Sequence, residues 1–406
     1  MKAVILAAGE GTRMRPLTRD TPKPLLPVAG KPIIEHNIEL IKDKVDEVVI
    51  VAGYMIEEFE KLYGEKSGIK IVEQDKAQGT ADAALQAKEE VDGRTLILNG
   101  DDIYGESVRE VLDNDSAILA KKADKPENFG VFDIEDGEII DVEEKPDNPK
   151  SDMVNIGCYF VEERFFELLE KVEKSERGEY EITDALNQYI EDEEVRCVEA
   201  DRWLPCSYPW QLIEANEVLL PEQINETSIG GDVADSAEIK GKVIIEEGAK
   251  IDSNSVIEGP AVVKSGCEVG PGAYIRPRTV LEEDVDVGKS EVKNSIIGEK
   301  TGIPHFNYIG DSYIGKKVNL GAGAKTANLR NDSENVKMKV KGEMYDTGRK
   351  KLGSIIASEV KIGVNSTIKP GRKIGFRAAT DSNEKVTQNI ADNTLLKDGE
   401  TIEDWR

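Results

Sequence analysis

From Val233 onward an aliphatic residue recurs at every sixth position: Val233, Ile239, Ile245, Ile251, Ile257, Val263, Val269, Ile275, Leu281 and Val287. Glycine and other small residues fill many of the places between. A period of six fits neither one helix, whose faces repeat about every 3.6 residues, nor one flat strand, which alternates about every two. It fits a left-handed parallel β-helix, a coil of triangular turns in which each side sends one aliphatic inward. The next position in register is Lys293, where the pattern breaks; it restarts at Ile297, Ile303 and Ile309. A second interruption spans about 327 to 354, after which Ile356, Ile362, Ile368 and Ile374 resume. Insertions in a solenoid become loops on one side, so both breaks are candidate functional segments. The polar tail 380–406 is expected to cap the open end.

Upstream of the repeat the pattern differs. Ala3–Leu6 reads as a short buried strand, and Glu47–Ala52, Ile69–Val72 and Thr95–Leu98 read as further strands. Ile33–Lys42, Ile56–Leu62 and Gly79–Glu90 have helical spacing between them. This alternation predicts a mostly parallel, Rossmann-like α/β sheet with helices on both faces and ligands at the carboxyl ends of its strands. Trp210–Leu220 reads as a helix followed by Pro221 and a polar stretch, which puts the boundary between two domains, 1–227 and 228–406, near residue 227.

Charge divides along the same line. The net charge is −27, and residues 1–227 carry all of it, with 26 Lys+Arg against 53 Asp+Glu; residues 228–406 hold 27 of each. Such acidity argues against nucleic-acid binding. Within the neutral half, residues 335–377 hold 11 basic and 3 acidic residues, a local excess suited to anionic ligands. Cys158, Cys197, Cys206 and Cys267 lack C-x-x-C spacing and suit a reducing cytoplasm better than a disulfide or zinc framework. No apolar run is long enough to span a bilayer, and the chain enters a strand at once, leaving no room for a signal peptide; a cytoplasmic protein is expected.

Behind the first strand lie Ala7, Ala8, Gly9 and Gly11, a loop of minimal side chains that lets backbone N–H groups approach a polyphosphate. Arg13 adds a forked donor suited to phosphate oxygens, and Lys23 follows between Pro22 and Pro24. The loop is neither G-x-x-x-x-G-K-[ST] nor G-x-G-x-x-G. Asp101, in Asn99-Gly100-Asp101-Asp102, ends a strand where a Mg²⁺ ligand would be useful beside phosphates.

LAAGEGTRM with a downstream PKP resembles the signature of sugar-phosphate nucleotidyltransferases, enzymes that join a nucleoside triphosphate to a sugar 1-phosphate and release pyrophosphate. The resemblance implies that Leu6, Ala7, Ala8, Gly9, Gly11 and Thr12 hold the nucleotide, that Arg13 and Lys23 balance phosphate charge, and that Asp101 binds Mg²⁺. It implies that Gln74 and Gly79-Thr80 read the pyrimidine base, with UTP or dTTP as donor, and that Gly130, Glu143 and Asn155 hold the sugar. Glu144 competes with Glu143 for that place; Glu143 is preferred. One departure stands out: Pro205, in Trp203-Leu204-Pro205-Cys206-Ser207-Tyr208-Pro209-Trp210, replaces the family's second metal-binding Asp. Either Asp101 suffices with water and phosphates, or Asp102 or Asp201 substitutes, or transferase activity is reduced.

His305 lies between the two breaks in the repeat and is one of only two histidines, His36 being the other, on an apparent amphipathic helix and read as structural. An imidazole with an ordinary pKa of about 6.5 is a natural base for an amine nucleophile. The second half resembles the acetyltransferase domain of bifunctional N-acetylglucosamine-1-phosphate uridyltransferases, in a shorter archaeal-type form. That resemblance implies His305 as general base, Arg276, Lys293 and Tyr308 on the sugar phosphate, Asn319 and Asn328 on the amine and acetyl group, and Ala322 facing acetyl-CoA. It also implies a homotrimer acting on a hexosamine 1-phosphate; the acidity and the lack of a long apolar run predict no nucleic-acid or membrane partner. Two other readings remain at this point: a single-function thymidylyl- or uridylyltransferase with a scaffold solenoid, and a non-catalytic sugar-nucleotide-binding regulator.

Overall fold

Alternation along the first strand decides how the N-terminal layers form. The computed structural model describes residues 1–175 and 178–405. Along Lys2–Leu6, Val4 and Leu6 face one core with Val49, Val51 and Ile97, while Ala3 and Ile5 face the other with Val48, Ile50, Leu96 and Leu98. Side chains of a strand point alternately to opposite faces, so a strand apolar at every position is buried on both sides. Helices Thr80–Leu85, Arg164–Leu169 and Ile182–Ile190 cover the first face. Ile33–Ile41, Ile56–Tyr63 and Ser107–Val111 cover the second.

Ile69–Glu73, Glu47–Ala52, Lys2–Leu6 and Thr95–Asn99 lie side by side in parallel. The expected parallel order stops there. Met153–Val161 enters antiparallel between Thr95–Asn99 and Ala117–Lys122. Gly130–Glu135 and Glu138–Glu144 form a hairpin. Its turn residues Asp136 and Gly137 both have positive φ, 51° and 85°, the geometry of a two-residue hairpin turn, which forces antiparallel pairing. The helical stretch expected over 79–90 is shorter than read: it ends at Leu85, and Lys88–Glu90 form a separate 3₁₀ turn.

By packing, the chain divides into two units: residues 1–10, 22–25 and 32–205, and residues 11–21, 26–31 and 206–406. The helix Pro209–Gln223 belongs to the second, and the first strand of the repeat is Ser228–Ile229.

The repeat folds as short parallel strands pairing with later copies of themselves. Val269 pairs with Val287, 18 residues on, so three hexads make one turn of the coil. This is consistent with a parallel β-helix, and the inward aliphatics form one continuous core. The first break has a simple cause. Two sides are one residue short, so the buried positions run Val287, Val292, Ile297, and Val292 rather than Lys293 enters the core. Lys293 is thereby turned outward. At the second break the ladder skips from Ile314 to Ile356, and the intervening chain forms a hairpin of Lys337–Val340 against Glu343–Asp346. The final strands, Leu395–Lys397 and Glu400–Ile402, pair antiparallel and end the parallel ladder.

Ile303 sits fully buried in this core between the two breaks. Ile303→Ala is expected to cost about 2–5 kcal/mol, read as a lower denaturant midpoint for the C-terminal transition. A loss under about 0.5 kcal/mol would contradict close packing at that turn.

Candidate functional site

In the first unit, the loop after Leu6 is fixed through its backbone. Ala7 donates to Val51 O at 2.8 Å, and Ala8 O accepts from Tyr54 N at 3.2 Å. Gly100 N donates to Leu6 O at 2.8 Å, and a Cβ at Gly100 would stand 2.9 Å from that oxygen, so glycine is required there. The approach puts Asp101 at the end of the neighbouring strand. Lys23, 5% exposed, forms an ion pair with Asp101.

The two alternative metal ligands are otherwise engaged. Asp102 accepts from Trp203 Nε1 at 3.1 Å and lies opposite Pro205 in a short ladder. Asp201 accepts from Ser107 Oγ at 2.6 Å, Ser107 N at 3.0 Å and Glu106 N at 3.2 Å, and so caps the helix Ser107–Val111. Burial pushes the Asp201 carboxyl up, but these hydrogen bonds outweigh it and hold it below the usual range. Asp101, at a strand end with an exposed edge, is the carboxylate suited to a cation that keeps water and phosphate ligands.

Gln74 is buried and donates from Nε2 to Asp82 Oδ2 at 2.5 Å. Gly79 has φ 125°, and a Cβ there would meet Tyr180 O at 2.3 Å, so the Gly79-Thr80 turn depends on glycine. Thr80 Oγ1 accepts from Ile182 N at 3.1 Å.

Pairing register separates Glu143 from Glu144. Gly130 pairs with Glu144, and a Cβ on Gly130 would lie 3.1 Å from Glu144 Oε2 and 3.4 Å from Asn155 Cβ. Glu143 pairs with Val131 and is exposed beside Asp133, Asp141 and Lys150. Adjacent strand residues face opposite ways, so Glu144, not Glu143, joins Gly130 and Asn155. Asn155 Oδ1 accepts from Gly157 N at 2.9 Å, and its Nδ2 donates to the Tyr159 hydroxyl at 2.8 Å, which fixes the side chain.

In the second unit, Gly11 takes a left-handed φ of 59°, and Thr12–Met14 forms a 3₁₀ turn. The exposed Arg13 guanidinium lies 5.5 Å from the centroid of Tyr208. Tyr208 stacks on Trp210 at 4.7 Å and touches Tyr345 of the inserted hairpin at 5.2 Å.

The same unit holds a cavity of about 570 Å³ lined by Glu217, Arg276, Pro277, Arg278, Lys293, Asn294, Asp311, Arg349, Lys350 and Lys351. Six cations against two carboxylates give its lining a net positive charge. Arg276 Nη1 donates to Glu291 at 2.7 Å, and Lys293 lies 3.3 Å from Asp311. Asn328 donates to Asp311 and, at 3.2 Å, to the Tyr308 hydroxyl. Burial pushes the Tyr308 phenol up and the Asn328 hydrogen bond opposes it, so Tyr308 stays protonated at neutral pH.

Of the predicted acceptor residues only Arg276 and Lys293 line this cavity; His305, Tyr308, Asn319, Ala322 and Asn328 do not. His305, Asn319 and Ala322 sit on adjacent turns of the solenoid. His305 is exposed, its backbone N–H donates to Asn307 Oδ1 at 3.0 Å, and its backbone carbonyl accepts from Gly323 N at 2.8 Å. Asn307 is buried and tied to Ser290 and Gly321, so the corner that carries His305 is rigid. Asn319 pairs with Gly302, and Ala322 O accepts from Asn365 N at 2.8 Å. Asp286 is close enough to His305 to interact: burial and then Glu268 push its carboxyl up, and His305 opposes them.

Asp286, Asp311, Glu217 and Arg349 were not singled out from the sequence. Asp286 and Glu217 reach their places through the shortened turn and a helix far along the chain. Arg349 had a hint in the basic segment 335–377.

The Nucleotidyl transferase family matches residues 2–220, and the GMPPB C-terminal domain family matches residues 239–331. The chain is 44% identical over 399 residues to the "Bifunctional protein GlmU" of Methanocaldococcus jannaschii, covering 98% of this chain and 97% of that one. It is 39% identical over 406 residues to the "Bifunctional sugar-1-phosphate nucleotidylyltransferase/acetyltransferase" of Sulfurisphaera tokodaii, covering 98% and 100%. Among solved structures, a putative glucose-1-phosphate thymidylyltransferase from Bacillus anthracis in complex with a sucrose superposes with a TM-score of 0.50 at 30% identity, over 54% of this chain and 94% of that one. Agreement of this extent, from one end of the chain to the other, means that it belongs to the family of bifunctional sugar-1-phosphate nucleotidylyltransferases/acetyltransferases.

Proposed function

We propose that the protein makes a UDP-N-acetylhexosamine in two steps. The solenoid transfers acetyl from acetyl-CoA to the amine of glucosamine 1-phosphate or galactosamine 1-phosphate. The α/β domain then transfers uridylyl from UTP to the N-acetylated sugar 1-phosphate and releases pyrophosphate. The observation that carries the acetyl step is the cation-lined cavity with Arg276 and Lys293 in its wall. An assembly scaffold has no use for such a cavity, and its charge suits the phosphate of the acceptor.

In the first step His305 takes the proton from the amine as its nitrogen attacks the thioester carbonyl, and the CoA thiolate leaves. Arg276 and Lys293 hold the sugar phosphate, with the protonated Tyr308 as hydroxyl donor. Asn328 and Asn319 orient the amine and acetyl group, and Ala322 borders the acetyl-CoA site. Asp286 lies near enough to His305 to serve as a positioning carboxylate for it. The solenoid is read as a left-handed β-helix that assembles as a homotrimer.

In the second step an oxygen of the sugar phosphate attacks the α-phosphorus of UTP. Leu6–Thr12 bind the phosphates through backbone N–H groups, and Arg13 and Lys23 stabilise charge as it spreads over them. Asp101 would hold Mg²⁺, which when bound neutralises phosphate charge. Gln74 and the Gly79-Thr80 turn read the uracil edge, and Gly130, Glu144 and Asn155 hold the sugar.

The two steps separate by assay. Thiol release from acetyl-CoA is expected with one of the two hexosamine 1-phosphates, and pyrophosphate release from UTP with its N-acetylated product. Pyrophosphate release without thiol release on either sugar would reduce the solenoid to a scaffold. For the sugar contact, Glu144→Gln is expected to raise the KM for the sugar 1-phosphate about tenfold or more, and Glu143→Gln to leave it within about twofold. The reverse order would restore Glu143 to the site.

A further inference from the structure

The cation-lined cavity contains a carboxylate from outside the solenoid repeat. Glu217, on the helix Pro209–Gln223, accepts from both ends of the Arg349 fork: Nη1 to Oε2 at 3.0 Å and Nη2 to Oε1 at 2.5 Å. It also accepts from Asn294 Nδ2 at 2.6 Å. The forked pairing of Arg349 is the one an arginine offers equally to a carboxylate or a phosphate. Arg349 is 12% exposed and Glu217 25%, so the arginine is held while the carboxylate keeps an edge to water.

Around this pair the cavity is unbalanced. Among the described residues, Arg278, Lys350 and Lys351 line it without a carboxylate at ion-pair distance, and the buried Arg276 Nε and Asn294 Oδ1 have no hydrogen-bond partner. A site that leaves cations and buried polar atoms unmatched is built for a ligand it does not itself supply.

We propose that Glu217 is an internal stand-in for the substrate's phosphate: it occupies the Arg349 fork in the empty protein and is displaced by the phosphate monoester of the acceptor. Arg349 is then a phosphate-binding residue, and Glu217 sets the affinity by competing for it. The stand-in also relieves repulsion among the cavity's cations when no ligand is present. On displacement Glu217 keeps Asn294 and turns its exposed edge to water. The inference rests on reading the cavity as the acceptor site of the acetyl step.

Titration calorimetry of the full-length protein with inorganic phosphate, at constant ionic strength, tests it. Glu217→Gln is expected to bind phosphate about tenfold tighter than the unaltered protein and Arg349→Gln about tenfold weaker. In the double variant the gain from Glu217→Gln should vanish. Without phosphate, Glu217→Gln should melt lower, and phosphate should raise its melting temperature by more than it raises that of the unaltered protein. Should Glu217→Gln fail to fold, Glu217→Asp, too short to span the fork, carries the same expectation. Phosphate binding equal or weaker in a cooperatively folded Glu217→Gln would overturn the proposal and leave Glu217 as a brace for Arg349. The KM for hexosamine 1-phosphate in the thiol-release assay should fall in parallel. Tighter phosphate binding with an unchanged KM would retain the competition and overturn the acceptor reading of the cavity.

Discussion

His305→Ala is expected to slow thiol release from acetyl-CoA by about a hundredfold to ten-thousandfold, the span that removal of a general base produces. Pyrophosphate release from UTP should stay within about twofold, because uridylyl transfer uses none of these groups. The structure makes the substitution a clean one. The imidazole is exposed, and the turn is held by the backbone of His305 together with the buried Asn307, Ser290 and Gly321. Alanine therefore removes the ring without removing what holds the corner, and the melting transition should be unchanged. Asp286→Asn gives a graded companion. It should lower the rate less than His305→Ala does. Acetyl transfer that survives in His305→Ala would assign the proton to another group.

Lys23→Ala is expected to reduce pyrophosphate release about a hundredfold to a thousandfold, the usual effect of deleting one preorganised charge from a phosphoryl-transfer site. Acetyl transfer should be untouched. Lys23 is almost fully buried and pairs with Asp101, so the alanine variant removes a cation and leaves a carboxylate without it. The pair is half-open on the Asp101 side, so only a modest loss of stability is expected. The two effects separate in a Mg²⁺ titration. With Lys23 gone, Asp101 should bind the cation more tightly at equilibrium, yet kcat should remain low at saturating metal. Recovery of full kcat at high Mg²⁺ would mean that Lys23 serves only to hold Asp101.

Much of this was open to reading in the chain itself. The six-residue period announced a coil because no helix or flat strand repeats that way, and pairing at intervals of 18 residues follows from three such sides. The glycine loop, Arg13 and the Pro-Lys-Pro element pointed to a family, and the relatives bear out the bifunctional reading. Both Glu143 and Glu144 satisfy the same motif, and only the pairing register says which one faces Gly130. The sheet is less parallel than expected, because Met153–Val161 enters antiparallel and the Asp136-Gly137 turn makes a hairpin.

The sequence by itself determined the local periodicities: that the first strand is buried, where the coil begins, and where it is interrupted. These depend on side-chain pattern over a few residues, and that pattern is written along the chain. Only the tertiary structure decided that a side one residue short sends Val292 inward and Lys293 out, that Asp201 is taken as a helix cap, and that Glu217 meets Arg349 from 132 residues away. Those outcomes depend on register and on which distant segments are brought together, and a neighbouring residue carries no mark of either.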